Sequence, residues 1–331
     1  MIKNKIDLLP LIFLVILFVY FAYSNASKPR VLIVQSHTTT TSKSSAEIDK
    51  VIRQAFNEKA WISTRWVYLG QRNKRLLWSV KQANNIVKRW KPTLIIAVGE
   101  KAQRSIAKNY LNDPKIKLIF AGIRGVDESK QYGTATNATG IVEATPFVIA
   151  KQIYGELFPH KKRVVVITDS SAESKSMLAS FKKINWSPFN IIAIKILTNA
   201  KQWQDTIKQA QTTADLIFVL RYYDLESSDN AKPIITWAIN NSRIPMVGFS
   251  GGFVDDGGAI SIGTNHGEQG KLAVKLALQI IENSSAALPP VNTHTQMQPY
   301  IRESVFKQFF PNAPLPKMLV DFAKAQNTYY P

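Results

Sequence analysis

The sequence predicts an α/β protein built as two doubly wound parallel-sheet lobes. Three observations carry that prediction. Short apolar runs rich in β-branched residues recur along the chain from Arg30 onwards, and amphipathic stretches of helical length separate them. The order then restarts halfway, where Lys162-Arg163-Val164-Val165-Val166-Ile167 echoes Pro29-Arg30-Val31-Leu32-Ile33-Val34. Strands separated in this way form βαβ units, whose right-handed crossovers place helices on both faces of a sheet.

The predicted elements follow in order. Val31 to Val34 is an uninterrupted apolar run, as a strand buried on both faces requires. Ala46, Val51-Ile52 and Ala55-Phe56 recur at helical spacing, and Trp61 to Leu69 reads as a second strand. Leu76, Val80, Ala83, Val87 and Trp90 trace one helical face, which Pro92 stops. Leu94 to Val98 reads as the third strand, followed by a helix through Ala102, Ile106 and Tyr110. Lys117 to Ala121 reads as the fourth strand, and Gly140 to Glu143 as an extended segment before a helix starting at Pro146. In the second half, strands are expected at 191–197, 216–220 and 245–249. Helices pass through Phe181, Trp203 and Ile235. Residues 250–258 read as loop and 259–262 as strand. A long helix then runs through Leu272, Leu276 and Ile280, followed by a late extended stretch and a short C-terminal helix.

Composition removes whole classes of function. The 331 residues contain no cysteine, which excludes disulfide scaffolds, thiolate metal sites and cysteine nucleophiles together. Four histidines leave little material for a metal centre, and neither a metal nor a cofactor is expected. Lys and Arg number 42 against 23 Asp and Glu, a net charge of +19. The basic residues are spread along the chain and no nucleic-acid module accompanies them, so no nucleic-acid partner is expected. Residues 1–26 read as a cleavable export signal. Lys3 and Lys5 precede an uncharged run from Leu8 to Tyr23, and Ser24-Asn25-Ala26 places small residues where a signal peptidase cuts. The run is close to spanning length, so retention as a single-pass membrane anchor is the other reading. Either reading places the rest of the chain in the periplasm.

Open parallel sheets bind ligands at the carboxyl ends of their strands. The loops so placed are rich in hydroxyls and hold isolated charges and an aromatic pair. They supply the candidate ligand-binding residues Ser36, His37, Glu100, Glu143, Ser170, Ser171, Tyr222, Tyr223 and Ser250. Hydroxyls and loop N–H groups would hold a carboxylate, Glu100 or Glu143 an amine, and Tyr222 or Tyr223 an apolar or aromatic face. Serines at these positions fit equally well as caps of the helices that follow. Gly248-Phe249-Ser250-Gly251-Gly252 matches the G-x-S-x-G nucleophile elbow, but residues 253–258 read as loop where the elbow needs a helix, so no catalytic residue is assigned. No phosphate-binding glycine loop is present.

Six segments in order resemble the ABC-transporter substrate-binding proteins of the tryptophan/tyrosine-binding family, which have the type I periplasmic-binding-protein fold. They are residues 30–34, 91–98, 119–122, 137–143, 157–162 and 244–249, and the likeness covers about residues 28–310. Two loops depart from the family pattern: the threonine run within His37 to Ser42, and Arg221-Tyr222-Tyr223-Asp224. The resemblance implies lobes joined by three crossovers, with a solute held between them. The first lobe would comprise 27–142 plus 250–288 and the second 143–249 plus 289–331. It also implies capture of a small organic solute, which could be an amino acid, by hinge closure, and delivery to an ABC permease. A periplasmic sensor that presents its ligand to a membrane kinase is the alternative. The protein would be a monomer and not an enzyme.

Overall fold

A computed structural model describes residues 8–38, 43–69, 73–124, 132–223, 225, 232–283, 286–294, 296–311 and 314–331. Close packing divides the chain into two units. The first comprises Met1–Ala121, Thr134–Gly140 and Gly270–Pro290, and the second Gly122–Gly133, Ile141–Gln269 and Val291–Pro331.

The first sheet uses strands β1 (Arg30–Gln35), β2 (Ser63–Tyr68), β3 (Leu94–Val98), β4 (Lys117–Arg124), β5 (Ala138–Glu143) and β11 (Asn292–His294), in the order β11-β5-β4-β3-β1-β2. β1 pairs in parallel with β2 on one side and β3 on the other. Its apolar run is explained by burial on both faces, since Val31, Leu32, Ile33 and Val34 are all fully covered. Leu32, Val34, Ile95 and Ala97 face a core that takes in Ala83, Val87, Ala102 and Ile106. The long helix His266–Glu282 returns to this unit from Gly270 onwards. A Cβ at Gly270 would lie about 3 Å from Val51 and from the backbone of Ile48 in the helix Lys43–Asn57, so the two helices touch where glycine removes a side chain.

The second sheet comprises β6 (Arg163–Asp169), β7 (Asn190–Leu197), β8 (Leu216–Val219), β9 (Met246–Gly248), β10 (Ile260–Thr264), β12 (Met297–Arg302) and β13 (Tyr329–Tyr330). Their order is β13-β12-β10-β9-β8-β6-β7. Pairing is parallel except between β10 and β12. Successive residues alternate between two cores, as the pleat dictates. Val164, Val166, Leu216 and Phe218 face an aromatic core, and Val165, Ile167, Ile217 and Val219 face one built on Trp203, Ile207, Ile234 and Ile235. In the aromatic core Phe181 stacks on Trp186 at 4.3 Å, and Phe147 meets Phe181 and Phe249 edge-on at 5.4 and 5.2 Å.

Three expectations need correction. Residues 250–269, expected in the first lobe, belong to the second unit, because β10 is paired by backbone hydrogen bonds to β9 and β12. The helix expected through Tyr110 is an α-helix only over Glu100–Ser105, with a 3-10 turn at Ala107–Tyr110. The loop expected after Ser250 contains a short helix, Gly251–Asp255. Near the N-terminus the backbone of Leu8–Ser27 is helical and the side chains of residues 12–19 are exposed, while Lys3 and Lys5 lie outside the described residues. Counting only residues whose side chains are described, no helix is long and apolar enough to cross a membrane.

Two polar devices pin the second unit. Tyr154, fully buried in the helix Phe147–Leu157, donates its hydroxyl to Gly248 O and accepts from Ile262 N at 3.0 Å, tying that helix to β9 and β10. Burial pushes the Tyr154 phenol far above its ordinary value of 10, so it keeps its proton. At the opposite end of the strands, Asp215 accepts from the Arg163 guanidinium at 2.9 Å and from the backbone N–H of Arg163 and Lys162 at 2.9 and 3.2 Å.

Tyr154→Phe keeps the ring but leaves Gly248 O and the Ile262 N–H buried without a partner. A loss of about 1–3 kcal/mol is expected in chemical denaturation, with little change in near-ultraviolet ellipticity. Asp215 is held down at about 2, first by its hydrogen bond to the Arg163 guanidinium. A carboxylate with a depressed folded-state pKa stabilises above its unfolded value and loses that contribution as pH falls. Asp215→Asn should therefore lower the unfolding midpoint at neutral pH, and its deficit against the parent should close between about pH 4 and about pH 2. A deficit constant across that range would show that the carboxylate's ionisation is not what stabilises.

Candidate functional site

In the second unit, β6, β8 and β9 lie side by side and parallel, so their carboxyl ends bring three loops together. These are Asp169 to Ser171, Arg221 to Tyr223, and Phe249-Ser250. The chain leaves β6 towards β7 on one side, while β8 lies on the other. Strand order reverses at this point, and open α/β sheets bind their ligands in the crevice such a reversal creates. A backbone bond spans it, from Asp169 N to Arg221 O at 3.0 Å.

Asp169 is buried. One carboxylate oxygen accepts from the Ser171 N–H at 3.1 Å and from the hydroxyls of Ser171 and Ser174. The other lies 3.6 Å from Arg221 Nε. Ser171 also caps the helix Ala172–Lys182 by accepting from Ser174 N at 3.1 Å. The Arg221 guanidinium lies over the ring of Tyr223 at 5.2 Å. Ser170 is exposed beside this knot.

The aromatic pair divides. Tyr222, expected to offer a face to the solute, belongs to the core instead. Its ring packs with Trp203 and Phe253 and 4.5 Å from Tyr223, and its hydroxyl donates to Asp256 at 2.6 Å. Burial, more than its neighbours Tyr223 and Asp256, raises its pKa well above 10. The Tyr223 hydroxyl is hydrogen-bonded to Ser250 and sits where a Cβ on Gly252 would be, so a side chain there would displace it. A helix does follow Ser250, contrary to expectation. Even so, its backbone is relaxed and extended (φ −153°, ψ 151°), unlike the strained turn of a nucleophile elbow. Burial raises the Tyr223 phenol, so this partner holds its proton at neutral pH and cannot serve as a base.

Glu143 ends β5, is buried, and accepts from the Thr264 hydroxyl. It lines a small pocket of the second unit with Thr145, Pro146, Ser176, Met177 and Phe249, and no other candidate residue joins it there.

In the first unit strand order reverses between β1 and β3. Ser36 closes that point. Its N–H donates to Val98 O at 2.9 Å, and its hydroxyl accepts from Ala102 N at 2.9 Å at the start of the helix Glu100–Ser105. It is buried, so capping is what its hydroxyl does. Glu100 opens that helix, where the macrodipole favours a carboxylate, and pairs with Arg104 at 3.5 Å. His37 is half-buried, and Thr39 to Ser42 lie outside the described residues.

Sequence reasoning missed two clusters. Asp169 and Arg221 each adjoin a candidate residue, and the Asp-Ser-Ser run at a strand end was a usable capping signal. The other cluster lies at the ends of β1 and β2. Asp49 accepts from Tyr68 at 2.9 Å, from Gln35 at 3.4 Å and from Arg53 at 3.3 Å, and the Arg53 guanidinium covers Trp66 at 4.0 Å. Among the described residues no group of three metal-ligating side chains is gathered.

Gly99 is a position in the first unit that both backbone and packing restrict to glycine. Its φ is +81°, and a Cβ would lie 2.6 Å from the Ser36 hydroxyl. Gly99→Ala should cost about 1–3 kcal/mol from backbone strain, plus the clash. In denaturation experiments Gly99→Ala made in a Ser36→Gly background, which already lacks the cap, should cost the strain without the clash. No cost in that background would mean that strain contributes nothing.

A family model described as ABC transporter substrate binding protein matches residues 66–310. No curated protein sequence matches the chain. Among solved structures, an ABC domain from Streptococcus pneumoniae in complex with L-Trp superposes with a TM-score of 0.70 at 17% identity, covering 89% of this chain and 98% of that one. A conserved domain protein from Vibrio cholerae gives 0.70 at 14% identity, covering 92% and 100%. The ligand-free, open structure of a substrate-binding protein with adhesive properties from Clostridium difficile gives 0.67 at 15%, covering 87% and 96%. These likenesses show the type I periplasmic-binding-protein fold, and with the family match over most of its length the chain belongs to the ABC transporter substrate-binding protein family.

Proposed function

We propose that this chain is the solute-capturing component of an ABC uptake system, working in the periplasm and delivering a small organic solute to an inner-membrane permease. The observation that carries the reading is the meeting of Asp169 to Ser171, Arg221 to Tyr223 and Ser250 at a strand-order reversal, where this architecture binds ligands. The loops offer exposed and half-buried polar groups, a cation and one aromatic ring, which suits a small solute with an apolar body and a polar head. Similar folds have been solved with L-Trp, with benzoate and with 3,4-dihydroxybenzoic acid, and all three solutes fit that description. An aromatic amino acid or aromatic acid is accordingly the solute class to try first.

Binding would work by population shift. A solute that contacts residues of both units favours the arrangement in which it can contact them together, and the permease reads that arrangement. No bond is made or broken. Residues 1–26 would direct export and then be removed, and the protein would act as a monomer.

The test is a thermal-shift screen of the protein as the cell makes it, against amino acids, aromatic acids, sugars and small anions. A solute present at about a hundred times its Kd should stabilise by about 2.7 kcal/mol, a rise of several degrees in melting temperature. Deleting the gene should abolish high-affinity uptake of the same solute. No shift with any class, together with unchanged uptake in the deletion strain, would overturn the reading. Intact mass of the mature protein checks the leader, since retention of residues 1–26 would show an anchored form.

A further inference from the structure

We propose that Arg221 is the side chain that recognises the solute's charge, and that the solute is a small organic carboxylate whose acid group binds the edge of the guanidinium. This rests on the solute-binding reading above and narrows its substrate class.

The argument begins with how Arg221 is held. A guanidinium carries five N–H donors in one plane. The nearest approach of Arg221 to Asp169 is through Nε at 3.6 Å, beyond hydrogen-bond length, and that nitrogen is buried without a hydrogen-bond partner. No hydrogen bond runs from the Arg221 side chain to any described residue. Asp169 holds it by charge, and Tyr223 holds its plane at 5.2 Å. The side chain is only 20% exposed, so water reaches little of it. A sheltered cation whose Nε is buried and unpaired, with its outer N–H groups free of protein partners, is an arrangement that a planar acceptor can complete.

Asp169 is poorly placed to be that acceptor. One oxygen already accepts from the Ser171 N–H and from two hydroxyls, which directs the carboxylate towards the start of its own helix. The two charges cancel overall, so the pair attracts no anion by bulk field. Selectivity arises from geometry instead. A carboxylate matches the guanidinium fork with two parallel bonds, which a hydroxyl or an amide cannot reproduce. Tyr223 then provides the adjoining aromatic surface, and exposed Ser170 a further hydroxyl. The location agrees, because Arg221 follows β8 at the reversal of strand order.

Calorimetry with matched pairs tests this: L-tryptophan against L-tryptophanamide, benzoate against benzamide, and phenyl phosphate as the competing anion. At least one acid should bind, and its amide should bind about a hundredfold more weakly. Arg221→Gln should weaken the acid by about a hundredfold, and Arg221→Lys by less because it keeps the charge and loses the fork. Arg221→Gln leaves Asp169 buried without its cation and could fail to fold. The double variant Asp169→Asn/Arg221→Gln removes both charges and should fold while still failing to bind the acid. Tight acid binding by the double variant would show that Arg221 serves structure alone and would overturn the proposal. So would an amide that binds as well as its acid, or phenyl phosphate that binds more tightly than benzoate. If the parent protein binds a sugar or an amine and no acid, the carboxylate proposal falls while the solute-binding reading stands. If it binds nothing in either screen, both fall.

Discussion

The second unit turns on the way β6 ends. For four residues, Val164 to Ile167, the strand is apolar and covered on both faces, and two residues later it terminates in a buried carboxylate. A charge in that position must be compensated by hydrogen bonds and an opposite charge, or it destabilises the fold by several kcal/mol. Ser171, Ser174 and Arg221 provide the compensation, and each belongs to an element that must then come to the same place. The start of one helix and the exit loop of β8 are thereby fixed against the end of β6. The polar chemistry of the site follows from satisfying Asp169.

The first unit closes the same topological point with a hydroxyl cap. Its reversal point between β1 and β3 is closed by the Ser36 hydroxyl and by Gly99, packed so tightly that no side chain fits. The hydroxyl cap closes one reversal, and a buried carboxylate beside a guanidinium closes the other.

The fold was legible in the sequence wherever burial was two-sided. β1, β3 and β6 stand within a residue or two of their expected limits, because a strand covered on both faces must be written as an apolar run. Placement that depends on distant pairing was not legible. Nothing local says that β10 joins β9 and β12, and Gly251-Gly252 conceals the short helix after Ser250. Within the site, the hydroxyls were visible and their work was not, since Ser36 and Ser171 both act as helix caps. The two adjacent tyrosines were indistinguishable as letters. In space Tyr222 fills a core and Tyr223 lies beneath a guanidinium. Asp169 and Arg221 are far apart in the chain, and only the β6–β8 pairing makes them neighbours. The basic surplus is spread in the structure as in the sequence, and some of it lies on aromatic rings one at a time: Arg65 over Trp90, Lys208 over Trp237 and Arg302 over Tyr330.

The discontinuous division of the chain bears on when it can fold. The first unit opens with β1 and is completed by residues 270–290, and the second is completed by residues 291–331. Until synthesis passes Gly270, the face of the helix Lys43–Asn57 that carries Ile48 and Val51 lacks its contact with the later helix, and β10 has no β12 beside it. Non-local closure of this kind is slow, and a chain emerging from its N-terminus remains incomplete until almost the last residue.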